Sequence, residues 1–393
     1  ISTKNFIQHD LLPEAKDGTA ANKIAQLFGN GGNMMKFDAA VGNPPYQETL
    51  ETGANKMSRS IYPDFVMESA KIGGLVSLVV PARWMSGESG PYKETSGFVR
   101  KMKSLGIKSF SLHPNSQDLF SGVDIKGGIC YFVLDKNYEG LVHYSLFEHG
   151  EVHEQNITLS NQLDDNIIIR YPELTSIVDK IDFRAVGANF KESLPSMKTL
   201  VSSWNPYGFI SDLFVKNNEK IDRISETRHA DDDWEVVGLL KGRRVRRFIP
   251  HDALKKNYEG AMSYKVLLPR ANGSGVFGEV FSTPMLGVPM LGVPMLISTD
   301  TFLEVGKFDN AFEAESLLKY VKSKFFRAMV GVKKTAVFNY KDAFTFVPLQ
   351  DFTSNSDIDW SKSIPEIDQQ LYKKYGLNQE EIEFIETRVR AME

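Results

Sequence analysis

Along the first third of the chain, apolar residues change period from segment to segment. In "SIYPDFVMESAKI" (60–72) they recur at helical spacing. "GGLVSLVVPARWM" (73–85) instead holds a continuous apolar run, the pattern of a strand buried on both faces. By the same reading "NFIQHDLL" (5–12) is a short strand ending at Asp10, "TAANKIAQLF" (19–28) a helix and "KFDAAVG" (36–42) a strand. "SGFVRKMKSLG" (96–106) is a helix and "IKSFSLH" (107–113) a strand; "GGICYFVLD" (127–135) and "GLVHYSLFE" (140–148) are late strands expected to pair. This β-α-β-α order predicts an α/β unit, with a mostly parallel sheet and helices on both sides.

Beyond about residue 170 the pattern mixes helices with short strands and loops such as "SSWNPYGF" (202–209) and "PRANGSGVFGEVF" (269–281). The C-terminal part reads as helical, in "EAESLLKYVKSKFFRAMVG" (313–331) and "LYKKYGLNQEEIEFIETRVRAM" (371–392). A domain boundary is placed at 165–185. The pentapeptide GVPML occurs at 287–291 and again at 292–296. Two copies are too few for a repeat fold and read as a duplication in a surface loop.

Composition narrows the class without choosing a function. The 393 residues are 42% hydrophobic and 24% charged, an ordinary globular balance with room for two domains. No apolar run reaches about 18 residues, so a membrane span is not expected. The start lacks a basic-then-apolar leader, and the single cysteine, Cys130, permits no internal disulfide. A cytoplasmic location is the expectation. The net charge of −4 does not advertise a nucleic-acid binder, but acidic "HADDDWE" (229–235) lies beside basic "KGRRVRRF" (241–248).

The chemistry concentrates in "AAVGNPPYQET" (39–49). Two adjacent prolines cannot continue a strand, so Asn43-Pro44-Pro45-Tyr46 is a rigid loop at a strand end. Asn43 Oδ1 and the Pro44 carbonyl can together accept both hydrogens of one planar amino group. Tyr46 can stack on the ring that bears that group. In open α/β sheets ligands bind beyond the carboxyl ends of strands, where this loop falls. The alternative is an ordinary proline-stiffened turn.

"FDAAVGNPPYQ" (37–47) resembles the catalytic motif of the N6-adenine DNA methyltransferases of restriction–modification systems. It is most similar to the branch in which methylase and target-recognition domain share a chain. The resemblance continues through residues 61–85 and through "PNSQDLFSGVDIKGGICYFVLD" (114–135), and touches "FVPLQDF" (346–352) and the last helices. It implies a partial Rossmann-like class I methyltransferase sheet over residues 1–170, followed by a mixed α+β target-recognition domain over 185–393. It also implies S-adenosylmethionine as methyl donor and double-stranded DNA as partner. Asn43, Pro44, Pro45 and Tyr46 would hold a flipped adenine, with Phe120 packing against it; Phe120 could equally be a core residue. Asp10 and Leu11 would contact the methyl donor.

The glycine loop and acidic residue that hold the donor in this family precede the strand that resembles "NFIQHDLL". The expectation is therefore a methylase sheet lacking its first strands, with an apolar edge that another segment or a partner subunit must cover. "GSGVFG" (273–278) has glycine-loop spacing but neither the following helix nor the acidic partner of a dinucleotide fingerprint. "NPYG" (205–208) reads as a turn.

In "KGRRVRRF", Lys241, Arg243, Arg244, Arg246 and Arg247 place five cations in seven positions. On a strand, Arg243 and Arg247 face one way, Arg244 and Arg246 the other. Such a strand can neutralise phosphates, or it can be a solvated edge. Phe325 and Phe326 in "KSKFFRAMVGVKK" (322–334) read as helix core rather than base-stacking residues. Two further functions remain open: a non-catalytic DNA-binding fragment or specificity subunit, and a methyltransferase acting on RNA or protein. No nuclease cluster is evident.

Overall fold

In the computed structural model the described residues are 12–28, 37–52, 55–87, 97–148, 150–159, 167–181, 196–215, 221–273, 276–334 and 337–392. The chain divides into two compact units between Arg170 and Tyr171.

The first unit opens with helices α1 (Leu12–Asp17) and α2 (Ala20–Phe28). Strand β1 (Phe37–Gly42) leads to a hairpin of β2 (Gln47–Thr52) and β3 (Asn55–Ser60), then α3 (Tyr62–Ile72) and β4 (Gly73–Pro81). Helix α4 (Phe98–Ser104), β5 (Ile107–His113), β6 (Ile129–Asp135), β7 (Val142–Glu148) and β8 (Glu151–Ile157) complete it. Six strands form one sheet in the order β1-β4-β6-β5-β7-β8. The β1–β4 and β5–β7 pairs are parallel, while β6 runs against both β4 and β5. Strands β1, β4, β5 and β7 therefore share one direction, so their carboxyl ends lie along one edge. The unit is mixed α/β with a predominantly co-directional sheet.

Two sequence expectations need correction. Residues 127–135 and 140–148 are both strands, but they do not pair with each other, because β5 lies between β6 and β7. The apolar run of β4 is not buried on both faces either. Val76, Leu78 and Val80 are buried, but Leu75 is 40% exposed. Strand side chains alternate, and here one face is covered by an aromatic cluster. Trp84 meets Phe98 at 5.2 Å and Phe110 at 5.9 Å, and Phe110 stacks on Tyr144 at 5.8 Å. Each such ring removes ~150–250 Å² from water, worth several kcal/mol by area. At the other end of the sheet order, β1 is an edge strand among the described residues, with Val41 79% exposed.

The second unit begins with α5 (Pro172–Lys180) and the hairpin β9 (Trp234–Leu240) and β10 (Arg243–Ile249). Then come α6 (Tyr258–Ala261), β11 (Tyr264–Pro269), β12 (Met290–Gly292), β13 (Leu296–Ser298) and β14 (Phe302–Phe308). Helices α7 (Ala311–Lys322), α8 (Lys324–Gly331), α9 (Ile364–Lys374) and α10 (Gln379–Arg388) follow. The strands make two three-stranded sheets, β10-β9-β13 and β12-β11-β14. The single helix suggested by 313–331 is broken at Ser323, whose hydroxyl accepts from Phe326 N at 3.1 Å and so caps α8. Phe325 and Phe326 are fully buried.

The GVPML duplication does not form a simple surface loop. Met290 and Leu291 of the first copy pair with β11, whereas Leu296, ending the second copy, pairs with β9. The first copy thus serves one sheet, while the second, whose Gly292 still pairs with Lys265 of β11, crosses to the other. Tertiary pairing, not local sequence, decides each one's conformation.

Candidate active site at the carboxyl edge of the sheet

Gly42, the last residue of β1, pairs with Leu78 of β4. The chain then leaves the sheet, and Asn43 to Tyr46 have no regular secondary structure, as two residues without amide donors require. Asn43 and Pro45 are exposed; Pro44 and Tyr46 are half-buried. The loop is held at its far end by the β2–β3 hairpin, whose base is closed by Ile61 N donating to Tyr46 O at 3.1 Å. The motif is therefore fixed between a sheet strand and a hairpin.

A residue that sequence reasoning missed braces that hairpin. Arg83 lies two positions beyond the end of β4, and its Nη2 donates to Ser60 Oγ at 2.8 Å. With the Gln47 amide oxygen turned toward the guanidinium, it accepts from Nη1 and Nη2 at 3.2 and 2.9 Å. Gln47 directly follows Tyr46, so Arg83 ties the carboxyl end of β4 to the catalytic-type loop. The signal was a cation placed just past an apolar strand in "PARWM".

Burial is the main influence on the Tyr46 phenol and raises its pKa; the neighbouring Asn43 side chain opposes this, and Cys130 adds to it. The hydroxyl itself makes no hydrogen bond of normal geometry. Cys130, the second residue of β6, pairs with Val80 of β4, and burial pushes its thiol to about 12. Burial keeps Tyr46 a neutral ring.

Phe120 is half-buried in the connection from β5 to β6, which leaves from the same sheet edge. Ser116 organises this loop: its hydroxyl donates to Val123 O at 2.7 Å and accepts from Ile125 N at 2.8 Å. Ala82 N donates to Gly128 O at 2.9 Å, tying the loop's end to β4. Asn43 and Phe120 therefore lie along one edge of the sheet. Asp10 and Leu11 lie outside the described residues.

In the second unit the basic segment is the edge strand β10, reached through a two-residue turn with Lys241 at φ 50° and Gly242 at φ 73°. Its regular register preserves the expected alternation. Arg246 pairs with Glu235 at 2.9 Å and Arg247 with Glu226 at 2.6 Å. Arg244 donates to Val288 O at 3.3 Å. Lys241 and Arg243 are exposed and make no ion pair with the described residues. Half of the cationic strand is therefore already neutralised. Gly273 and Gly278 do not open a helix: Gly278, at φ 73°, packs against the backbone of Arg388. These glycines serve close packing.

Comparison with known proteins bears on the first unit most directly. Residues 2–109 match the family described as Eco57I restriction-modification methylase. Over 172 residues the chain is 30% identical to an uncharacterized adenine-specific methylase of Mycoplasma pneumoniae. The similarity is thus to restriction–modification and adenine-specific methylases. That alignment covers 41% of this chain and 40% of the relative. Residues 2–109 include β1, the Asn43–Tyr46 loop, Arg83 and the first three residues of β5. Among solved structures, the chain is similar to the type IIL restriction-modification enzyme MmeI in complex with DNA. Identity is 10%, over 95% of this chain and 63% of that one, with TM-score 0.45. It is also similar to the type IIG restriction endonuclease BpuSI, at 14% identity over 94% and 47%, with TM-score 0.33. Among the described residues no helix is long and apolar enough to cross a membrane.

Proposed function

We propose that the methylase segment takes part in methyl transfer from S-adenosylmethionine to adenine N6 in double-stranded DNA, within a restriction–modification system. The observation that carries this reading is the position of Asn43–Tyr46: a proline-stiffened loop at the carboxyl end of a parallel strand, inside the residues that match the methylase family. A base inside a duplex cannot reach such a loop, so the target adenine is flipped out of the helix.

On the adenine side, Asn43 Oδ1 and the Pro44 carbonyl accept the two N6 hydrogens. No backbone amide competes for the Pro44 carbonyl within the motif, because the next residue is also proline. These acceptors draw the N6 lone pair away from the ring and make it available as a nucleophile. The neutral Tyr46 ring stacks on the base, and Phe120 packs on it from the β5–β6 loop. Methylation replaces one N6 hydrogen, and the proton leaves from the nitrogen held by these two oxygens. Arg83 is a positioning residue, acting through Gln47 and Ser60.

S-adenosylmethionine supplies the methyl group when bound. The described residues hold no glycine loop leading from a strand into a helix, and Asp10 and Leu11 lie outside them, so no step is assigned on the donor side. The edge position of β1 among the described residues fits a sheet continued by a further segment or a partner subunit. The second unit is read as the DNA target-recognition domain, with Lys241, Arg243, Arg244, Arg246 and Arg247 on phosphates.

The test is labelled-methyl incorporation into unmethylated duplex DNA, with N6-methyladenine as product and Asn43→Ala as control. Methylation undiminished in Asn43→Ala refutes the catalytic assignment. Calorimetric titration with S-adenosylmethionine separates the alternatives. Binding establishes a donor site in this chain; no binding together with retained DNA affinity favours a DNA-binding fragment or specificity subunit.

A further inference from the structure

Three of the four tryptophans are buried, Trp84 and Trp234 completely and Trp360 to within 3%. Trp204 is 62% exposed. An indole in water is unfavourable unless something occupies it. Its neighbours are specific: the Arg270 guanidinium lies 4.9 Å from the Trp204 ring and 5.7 Å from the Phe338 ring. Phe338 is itself 48% exposed. The surface is thus two exposed aromatic rings beside Arg270, whose Nη1 also lies 3.8 Å from Asp300 Oδ2 and donates to Asp300 O at 3.4 Å.

The supports beneath it are rigid. Ser202 N donates to Glu304 O at 2.8 Å, and Ser202 Oγ accepts from Glu304 N at 3.1 Å. Tyr207, on the other side of Trp204, is buried and donates its hydroxyl to Glu304 Oε2 at 2.6 Å. Lys256 Nζ donates to Asn205 O at 3.1 Å, where Asn205 holds φ 55°. Beneath Arg270 and Phe338, the buried Asn339 amide donates to Pro269 O at 2.8 Å and to Asn272 Oδ1 at 2.7 Å. Both arms of the surface are therefore pinned before any partner arrives.

We propose that Trp204, Arg270 and Phe338 form a DNA-contacting surface, the rings lying against deoxyribose faces and Arg270, beside its Asp300 partner, meeting a phosphate. The proposal rests on the DNA reading above. Charge favours nucleic acid over a protein partner. Lys256 adjoins the Trp204 loop, and "GVKKTAVFNYK" (331–341) around Phe338 holds three lysines, while the nearby carboxylates Asp300 and Asp342 are paired with Arg270 and Lys198. Contacts to sugar and phosphate are the same for every sequence, and so apolar contact with deoxyribose complements a phosphate contact.

Trp204 is its own reporter, because the other indoles are buried. The full chain is titrated with a mixed-sequence ~40-bp duplex at ~50 mM salt, reading acrylamide quenching of Trp204 and anisotropy of labelled DNA. Bound DNA is expected to shield Trp204 from acrylamide. Trp204→Ala and Phe338→Ala are each expected to weaken binding roughly tenfold with the salt slope unchanged, because neither removes a phosphate contact. Trp204→Phe should keep near-full affinity. If the duplex binds while Trp204 stays accessible, or Trp204→Ala binds with full affinity, the surface serves another partner and the proposal falls, leaving the DNA reading intact. If the wild-type chain binds no duplex, both fall.

Discussion

The Asn43–Tyr46 loop and the Trp204 loop both present ring and polar groups outward, but they are stiffened by different physics. The first gains rigidity from covalent structure: two pyrrolidine rings fix φ, and a hairpin closes behind them. The second has one proline and depends on buried polar groups, with Glu304 accepting from Tyr207, Ser298 and Ser202 N and donating its own amide to Ser202 Oγ. Burial raises the Glu304 pKa, while Lys265, buried nearby and itself lowered by burial, opposes that rise. A proline loop keeps its shape locally. A loop held by a buried network keeps its shape only while the surrounding unit is folded.

The sharpest test removes chemistry without removing rigidity. Asn43→Ala should cost methyl transfer roughly 10²–10³-fold, the scale of losing one preorganised group at a reacting centre, with DNA affinity unchanged. Equal loss of affinity would mean that the loop binds rather than reacts.

Next in size is the buried network. Tyr207→Phe withdraws a hydrogen bond from a buried carboxyl group and should destabilise the second unit by about 2 kcal/mol. It should also raise the acrylamide accessibility of Trp204; an unchanged Tm would show that the loop does not depend on Glu304. The pH dependence has a definite sign. With its folded pKa raised, Glu304 contributes stability that is fully present below the ordinary carboxylate range and lost as pH rises through the raised value. Glu304→Gln should flatten that part of the stability–pH curve.

A smaller effect separates the free from the paired cations of β10. Lys241→Ala/Arg243→Ala should lower the salt slope of DNA binding by about two, Arg246→Ala/Arg247→Ala by less, because their carboxylate partners already neutralise them. Equal slopes for both pairs would remove this distinction. Smallest is Pro45→Ala, expected to cost about 0.4–1 kcal/mol through the unfolded chain. A loss of several kcal/mol there would mean that Pro45 makes a native contact beyond its fixed φ.

The first unit was far more legible than the second. Strands β1 and β4 to β7 and helices α2 to α4 follow from apolar period, whereas α1, the β2–β3 hairpin and β8 do not; the Asn-Pro-Pro-Tyr loop announces itself because proline's restrictions are local. Phe325 and Phe326 were read as core for the same reason, from spacing alone. What local pattern could not supply was neighbour choice. β6 inserts between β4 and β5, and the two copies of GVPML end in different sheets, because strand partners are selected by long-range pairing and burial. The Arg83 brace, the neutralised half of β10 and the Trp204–Arg270–Phe338 surface likewise join residues far apart in the chain. Sequence alone determined the loop's rigidity and donor–acceptor chemistry, which reside in single residues. Only the tertiary structure decided which cations remain unpaired and which aromatics face water, because both depend on contacts formed only when distant segments pack together.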